Sequence, residues 1–513
     1  MSSFLGLNIA LKGIYASQNS IYTIDHNISN ADTPGYSRQV TYQQASTPLK
    51  VNSRSGMIGT GVDTTGIKRI RDLFLDNRYW YQNANYGEWN IKSNSMSELE
   101  AIMDETSEDG LNGVLSEFTA SLEELNKDPE STEIRTTVIQ NAVSLCQYLN
   151  SAASTLTALQ KEYNTNIKIK VNQVNSLAQQ ISDLNEQIYK AEITGSTAND
   201  LRDQRTLLID ELSALADIEV NEYSGGTLTN GNKDSRLQIT INGKTLVNHF
   251  NVNKLECYTI DEAGAVNDGL YGIRWQKTGE ELNIKGGEIK AYMDLRDGTG
   301  TGSEYKGIPY YMNMLDNFAQ TLAKAFNEGI YSDGTKHCNG HADGYDLDGG
   351  TGTRFFTFDG LSSSEFMASG ADTASRYSGI SAANISISTD MLEDTSKLAA
   401  ASSGGGAGNN ENAAILLEIF SDNKVFKEGM PEDYVNTIVS NMGVCSSFAV
   451  RMLDNNESML NAIDTNRISV SGVLLDEETT NLIKYQQTYN ASAKVISVLD
   501  ELLDVTINGM GVG

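Results

Sequence analysis

The sequence predicts an α+β protein: long, coiled-coil-like terminal helices and a helical bundle built from both ends of the chain, with β-rich domains inserted in the middle. Three observations predict it. Apolar residues step by three and four near both termini, the same spacing runs from Leu156 to Ile188, and the period changes to strict alternation at Leu237, Ile239 and Ile241.

The first stripe is Phe4, Leu7, Leu11, Ile14, Gln18, Ile21, Asp25 and Ile28, a heptad seam with two polar interruptions, widened by Leu5, Ile9 and Ile24. Before Asp32 the only charges are Lys12 and Asp25, and Ser, Asn, Gln and Gly fill the polar positions, which suits a helix packed all round by other subunits better than a solvated one. At Thr33-Pro34-Gly35-Tyr36 a type II turn is predicted, because Pro34 presets φ and Gly35 supplies a positive φ. Gly- and Thr-rich material to about Gly66 and a charged, aromatic stretch over residues 69–89 precede a long helical region.

No proline occurs between Pro129 and Pro309, so long helices are permitted there. Leu156, Leu159, Tyr163, Ile167, Val171, Val174, Leu177, Ile181, Leu184 and Ile188 form an amphipathic rod, bundled with a helix over residues 199–216. Asp200, Arg202, Asp203 and Arg205 read as a solvated or salt-bridged face of that helix. Asn242-Gly243 marks a hairpin in a β-rich stretch reaching about Leu282. A helix returns over residues 309–327, residues 331–395 are rich in Gly, Ser and Asp, and residues 402–410 read as a flexible loop.

Helical material resumes at Asn412 and ends in a second seam of Leu482, Tyr485, Tyr489, Ser492, Ile496, Leu499 and Leu503, widened by Ile483, Ala493 and Leu502. The two seams are expected to be largely unfolded in the monomer and to fold on assembly; an intramolecular coiled coil is the alternative.

The expected divisions are residues 1–45 with 470–513 as a terminal assembly unit, and 46–220 with 396–469 as a helical bundle carrying β-hairpins. Residues 221–285 form a β-rich outer domain, 286–330 a helical segment returning to the bundle, and 331–395 an outer region with short strands.

The charge balance is acidic, 38 Lys and Arg against 67 Asp and Glu, a difference of −29. That field repels phosphate, so neither nucleic acid nor anionic membrane is an expected partner. Cys146, Cys257, Cys338 and Cys445 have neither disulfide-framework nor zinc spacing, and no apolar run reaches a membrane span. The N-terminus is a poor cleavable signal peptide. His337 and His341, near Asp343, Asp346 and Asp348, are the only cluster to weigh as a metal site, but Gly340 and Gly344 disfavour a shared helix face. No cofactor, metal or catalytic triad is expected.

The string Asn27-Ile28-Ser29-Asn30-Ala31-Asp32-Thr33-Pro34-Gly35-Tyr36 resembles the N-terminal signature of the flagellar rod, hook and hook-associated protein family, with Asp32 where that pattern usually has Asn. Residues 199–213, beginning Asn199-Asp200-Leu201-Arg202-Asp203-Gln204-Arg205, are similar to a segment of the hook-associated protein 1 branch. So is the run from Ser471 to Glu478, followed by Tyr485-Gln486-Gln487-Thr488-Tyr489. The resemblance implies a structural subunit without enzymatic activity. Such a subunit is exported uncleaved by the flagellar type III route and assembled outside the cell as a ring at the distal end of the hook. The partners it implies are the hook protein, the second hook–filament junction protein, further copies of this chain, and an export chaperone on the C-terminal helix. Two other readings are a rod or hook subunit, and a flagellum-displayed adhesin or enzyme with activity in residues 221–395.

Overall fold

The computed structural model describes residues 2–52, 56–103, 110–227, 233–263, 267–402 and 406–509. Helix α1 (Ser2–Ser29) is followed by strand β1 (Gln39–Ala45), an arm formed by β2 (Leu49–Asn52) and β3 (Gly56–Ile58), and β4 (Val62–Arg69). Strand β4 returns antiparallel along β1, opposing Gln39 with Arg69 and Ala45 with Val62. This sheet crosses position 45/46, where the sequence pattern alone divides the terminal unit from the bundle.

Helix α2 (Leu73–Met103) begins inside the charged, aromatic stretch, earlier than the sequence pattern indicates. Asp72 caps it by accepting from Phe74 N at 2.9 Å. Its amphipathic pattern is blurred because Asp76, Gln82, Asn83 and Lys92 lie on its buried face. Next come α3 (Leu111–Lys127), α4 (Thr132–Ile193) and α5 (Asn199–Leu215). Helix α4 starts at Ser131, whose hydroxyl accepts from Ile134 N. With 62 residues it is about 93 Å long. Every member of the predicted Leu156–Ile188 stripe is buried except the half-buried Leu184.

Strands β5 (Ile218–Thr227), β6 (Lys233–Ile241), β7 (Lys244–Asn248) and β8 (Asn251–Val252) form an antiparallel sheet in chain order. Asn242 and Gly243 make the predicted tight turn, both at positive φ (47° and 76°). A second hairpin pairs β9 (Leu255–Thr259) with β10 (Tyr271–Trp275). Helices α6 (Glu288–Asp297) and α7 (Ile308–Glu328) lead back to the bundle, and Pro309 in the first turn and left-handed Gly329 after the last bound α7.

The following stretch contains β11 (Phe356–Phe358), α8 (Ser363–Ala368), α9 (Thr373–Tyr377), β12 (Ile385–Ile387) and α10 (Thr389–Glu393), with β11 paired to β12. Most of the predicted loop over residues 402–410 is described, but residues 403–405 lie outside the described residues. The chain ends with α11 (Glu411–Glu418), α12 (Pro431–Ser471) and α13 (Leu475–Asp504).

Two hydrophobic cores are threaded on α4. Its first half, to Tyr163, packs with α2, α3, α7 and α12. Phe355, Phe356, Phe366 and Tyr377 join that core beside Phe118 and Phe326, so the Gly/Ser/Asp-rich stretch is built into the bundle's apolar interior. The fully buried Asn327 clamps it, accepting from Phe355 N and Phe356 N and donating to Phe356 O. From Ile167 onward α4 packs instead with Trp80, α5, α6 and strands β5 to β10.

Helices α2 and α5 approach closely at Gly87, where a Cβ would lie 2.5 Å from the carbonyl oxygen of Ala214. Gly87→Ala is therefore expected to destabilise the bundle by about 1–3 kcal/mol despite alanine's better helix propensity, read as a lowered thermal midpoint.

Candidate assembly site

Helix α1 stops where its carbonyls find side-chain partners. Asn30 donates to the carbonyl oxygen of His26 at 2.9 Å and accepts from the Thr33 hydroxyl at 3.3 Å. The turn at Thr33-Pro34-Gly35-Tyr36 is closed by Tyr36 N donating to Thr33 O, with Gly35 at φ 77°. A Cβ on Gly35 would also press on Leu207 of α5 at 3.3 Å, so both conformation and packing call for glycine. Pro34 and Thr33 are exposed.

This turn delivers four side chains to a buried polar hub. Asn27, fully buried, donates to Gln39 O (2.9 Å) and to Glu478 Oε2 (3.2 Å) and accepts from Gln39 N (2.9 Å) and the Tyr36 hydroxyl (2.8 Å). All four hydrogen-bonding positions of its carboxamide are used. Glu478, in the first turn of α13, also accepts from Arg38 Nε at 2.6 Å, and Arg38 reaches Glu477 as well. Arg38 N donates to Ser471 O, the last residue of α12. Burial first, and then the carboxylates Asp200, Asp203 and Glu478, push the Tyr36 phenol well above its usual range, so it remains a donor.

The hub continues into the bundle. Asp203 accepts from Ser37 N and Oγ and from Arg69, at 2.7–2.9 Å. Arg71 donates to Ser37 Oγ and holds Asp76 through two bonds. Arg467 of α12 bridges Asp76 and Asp210, and Trp80 Nε1 donates to Asp210 at 2.6 Å. Burial raises the Asp210 pKa despite the opposing pull of Arg467. The α5 charges are salt-bridged, as the sequence indicated. Two of them are not solvated, however: Asp203 and Arg205 are buried, and Arg205 pairs with Glu222 and with Asn185, whereas Asp200 stays exposed beside His26. Sequence reasoning missed their role because their partners lie in distant segments.

The terminal helices α1 and α13 pack antiparallel within the chain, Gly6 against Leu499 and Gly13 against Ser492. A Cβ on Gly13 would sit 2.9 Å from Ser492 Oγ, so these two glycines, one heptad apart, set the close approach. Of the predicted seam, Leu7, Ile14, Ile21, Ile28, Leu482, Tyr485, Tyr489, Ile496, Leu499 and Leu503 are half-buried, and Leu11 is 38% exposed. Apart from Ile24, the buried α1 residues are smaller: Ala10, Ala16, Ser17, Ser20, Thr23 and Asn27. Strand β1 covers part of this face, with Gln43 donating to Ala16 O and Ser20 Oγ and Thr23 bonded to Thr41. Apolar residues remain bare on the outside: Phe4, Tyr15 and Tyr22 on α1, and Ile483, Val495, Val498 and Leu502 on α13.

The family description Flagellar hook-associated protein FlgK helical domain matches residues 96–356, and Flagellar basal body rod FlgEFG protein C-terminal matches residues 464–509. Flagellar hook-associated protein 1 of Bacillus subtilis (strain 168) is 33% identical over 530 residues, spanning 100% of this chain and 99% of its own. The chain belongs to the flagellar hook-associated protein 1 family. The family member from Salmonella typhimurium (strain LT2) is 27% identical over 580 residues, covering 99% of this chain and 100% of its own. The solved flagellar hook junction protein FlgK from Burkholderia pseudomallei shares the fold, with a TM-score of 0.58 and 14% identity over 77% of this chain and 100% of that one. As a member of the hook-associated protein 1 family the chain is a flagellar component that assembles with other axial components. No described helix is long and apolar enough to cross a membrane.

The two histidines weighed as metal ligands do not converge. His337 hydrogen-bonds Asp333 at 2.9 Å and stacks on Tyr331. Both nitrogens of the fully buried His341 are taken by backbone: Nδ1 donates to Thr353 O, and Nε2 accepts from Ala399 N, each at 2.8 Å. Among the described residues no group of three or more His, Cys, Asp or Glu is placed to hold a metal.

Asp203→Ala leaves Arg69 and the Ser37 amide unpaired in a buried site. It is expected to weaken the seating of the turn on α5 by about 3–5 kcal/mol. Amide exchange over residues 36–39 should rise while exchange in α4 stays unchanged.

Burial pushes the His341 imidazolium down to about 4, against an ordinary value of 6.5. Protonation therefore favours the unfolded chain: the stabilising contribution is present above pH 6.5 and is lost as pH falls through about 4. Thermal midpoints measured from pH 7.5 to 4 should fall more steeply for the parent than for His341→Gln.

Proposed function

We propose that this chain is a structural subunit at the distal end of the flagellar hook, where it forms the hook–filament junction, and that it is not an enzyme. The observation carrying this reading is the convergence of three segments far apart in sequence, around Asn27–Tyr36, Asn199–Arg205 and Ser471–Glu478, on one buried hub. That hub holds the terminal helix pair at a set angle to the bundle while the pair's outer stripes stay uncovered. A subunit linking two lattices needs such a rigid joint and such an unsatisfied apolar surface.

The protein is exported and acts outside the cell in this reading. Its partners are the hook protein, the second junction protein and further copies of itself, with an export chaperone shielding the C-terminal helix before assembly. Both the seam (Leu7, Leu11, Ile14, Ile21, Ile28 with Leu482, Tyr485, Tyr489, Ile496, Leu499, Leu503) and the motif residues are assembly elements, not catalytic ones. The relatives named flagellar hook-associated protein 1 and the fold shared with a flagellar hook junction protein support this placement.

Deleting the gene in its source bacterium should leave hooks without filaments and flagellin in the medium. Normal filaments would reject the reading. Ile496→Asp with Leu499→Asp should abolish assembly or chaperone binding while the middle domains stay folded by circular dichroism.

A further inference from the structure

The arm of β2 and β3 has no role in the hub or in either core. Its base is fixed: Lys12 of α1 bonds Ser46 and Asp63, Ser46 N donates to Gly61 O, and Gly61 lies against Ile9. Beyond that base it stands free, with Leu49 53% and Met57 67% exposed and Ile58 bare beside them. An isolated two-stranded hairpin is marginal in water, and three exposed large apolar side chains make it more so. The arm's charge is also unusual: residues 46–61 contain Lys50 and Arg54 and no acid, in a chain of net charge −29. Lys50 has no acidic partner among the described residues.

The last turns of α13 are the complement. Val495, Val498, Leu502 and Val505, spaced three, four and three, make an exposed apolar stripe turned away from α1. Glu501 flanks it and Asp504 follows in the same turn, neither paired with a cation among the described residues. The helix has no basic residue in its last turn, so its negative dipole end is also unneutralised. The chain's own arm leaves this stripe bare.

We infer that the β2–β3 arm of one copy docks on the C-terminal half of α13 in a second copy, Met57 covering the valine–leucine stripe and Lys50, its cross-strand partner on the same face, meeting Glu501. This deepens, and rests on, the reading that copies of the chain assemble side by side through their terminal helices.

The test uses assembled flagella. Met57→Cys and Leu502→Cys chains, each first shown to restore motility, are co-expressed in one cell and the purified hook–filament junctions are oxidised. A disulfide-linked dimer is expected in the mixture and not in either single variant or the parent. Junctions that carry filaments but yield no mixed dimer would overturn the contact, without touching the junction reading, which fails only if the deletion strain keeps its filaments. Charge exchange is the second measurement: Lys50→Glu should cause a loss of filament-bearing hooks, and Glu501→Lys in the same chain should restore them. An innocuous Lys50→Glu, or a defect that Glu501→Lys does not relieve, would also overturn the inference.

Discussion

Glu478 is a carboxylate almost wholly removed from water, and the position of everything at the chain's two ends depends on how it is paired. Desolvating a carboxylate costs several kcal/mol, which only good hydrogen bonds and a counter-charge offset. Arg38 supplies the charge and Asn27 the remaining donor. Neither can move without stranding the other: Asn27 has all four of its bonds committed, and Arg38 is tied through its backbone to the end of α12 and to Ile70. A buried ion pair of this kind adds little net stability compared with apolar packing, but it fixes geometry, because few arrangements satisfy every group at once. The hub therefore defines the angle of the α1–α13 pair to the bundle more than it strengthens either.

Bundle architecture extends that rigidity. Helix α4 passes through both hydrophobic cores, so the bundle and the β-rich domain share one continuous element. Helix α5 lies along it and presents Asp203 to the turn after α1, while Arg467 of α12 reaches Asp76 and Asp210. The terminal pair is thus referenced to three bundle helices through charges that would be expensive to leave unpaired. The pair itself is different in character. Its innermost contacts are glycine, alanine and serine, and many of its large apolar residues are half-buried or bare. Covering them should return about 1.5–3 kcal/mol for each side chain fully buried, which is available only from neighbouring molecules.

Much of the fold was legible in the sequence where one residue type carries one period. The α4 stripe, the Asn242-Gly243 turn and the helix over residues 309–327 are local signals that tertiary contacts reinforce. The start of α2 was not legible, because its buried face uses Asp76, Gln82 and Asn83, which read as solvent-facing until their partners are known. The hub was out of reach for the same reason: Asn27 and Glu478 are 451 positions apart, and Ser37 and Asp203 are 166 apart. Resemblance pointed to those segments, but only the fold shows that they meet. The seam was legible in its spacing. Its packing was not, since the sequence draws attention to Leu11 and Ile14 whereas the closest approach falls at Gly6 and Gly13.

The central claim is that Asn27 and Glu478 act as one unit to lock the terminal helices to the bundle. A double-mutant cycle of Asn27→Ala and Glu478→Gln, read through amide exchange at Gln39, measures that coupling directly. A coupling free energy of about 0.5–3 kcal/mol is predicted for residues sharing one buried network. Strictly additive effects, or no change in Gln39 exchange in either single variant, would contradict the account.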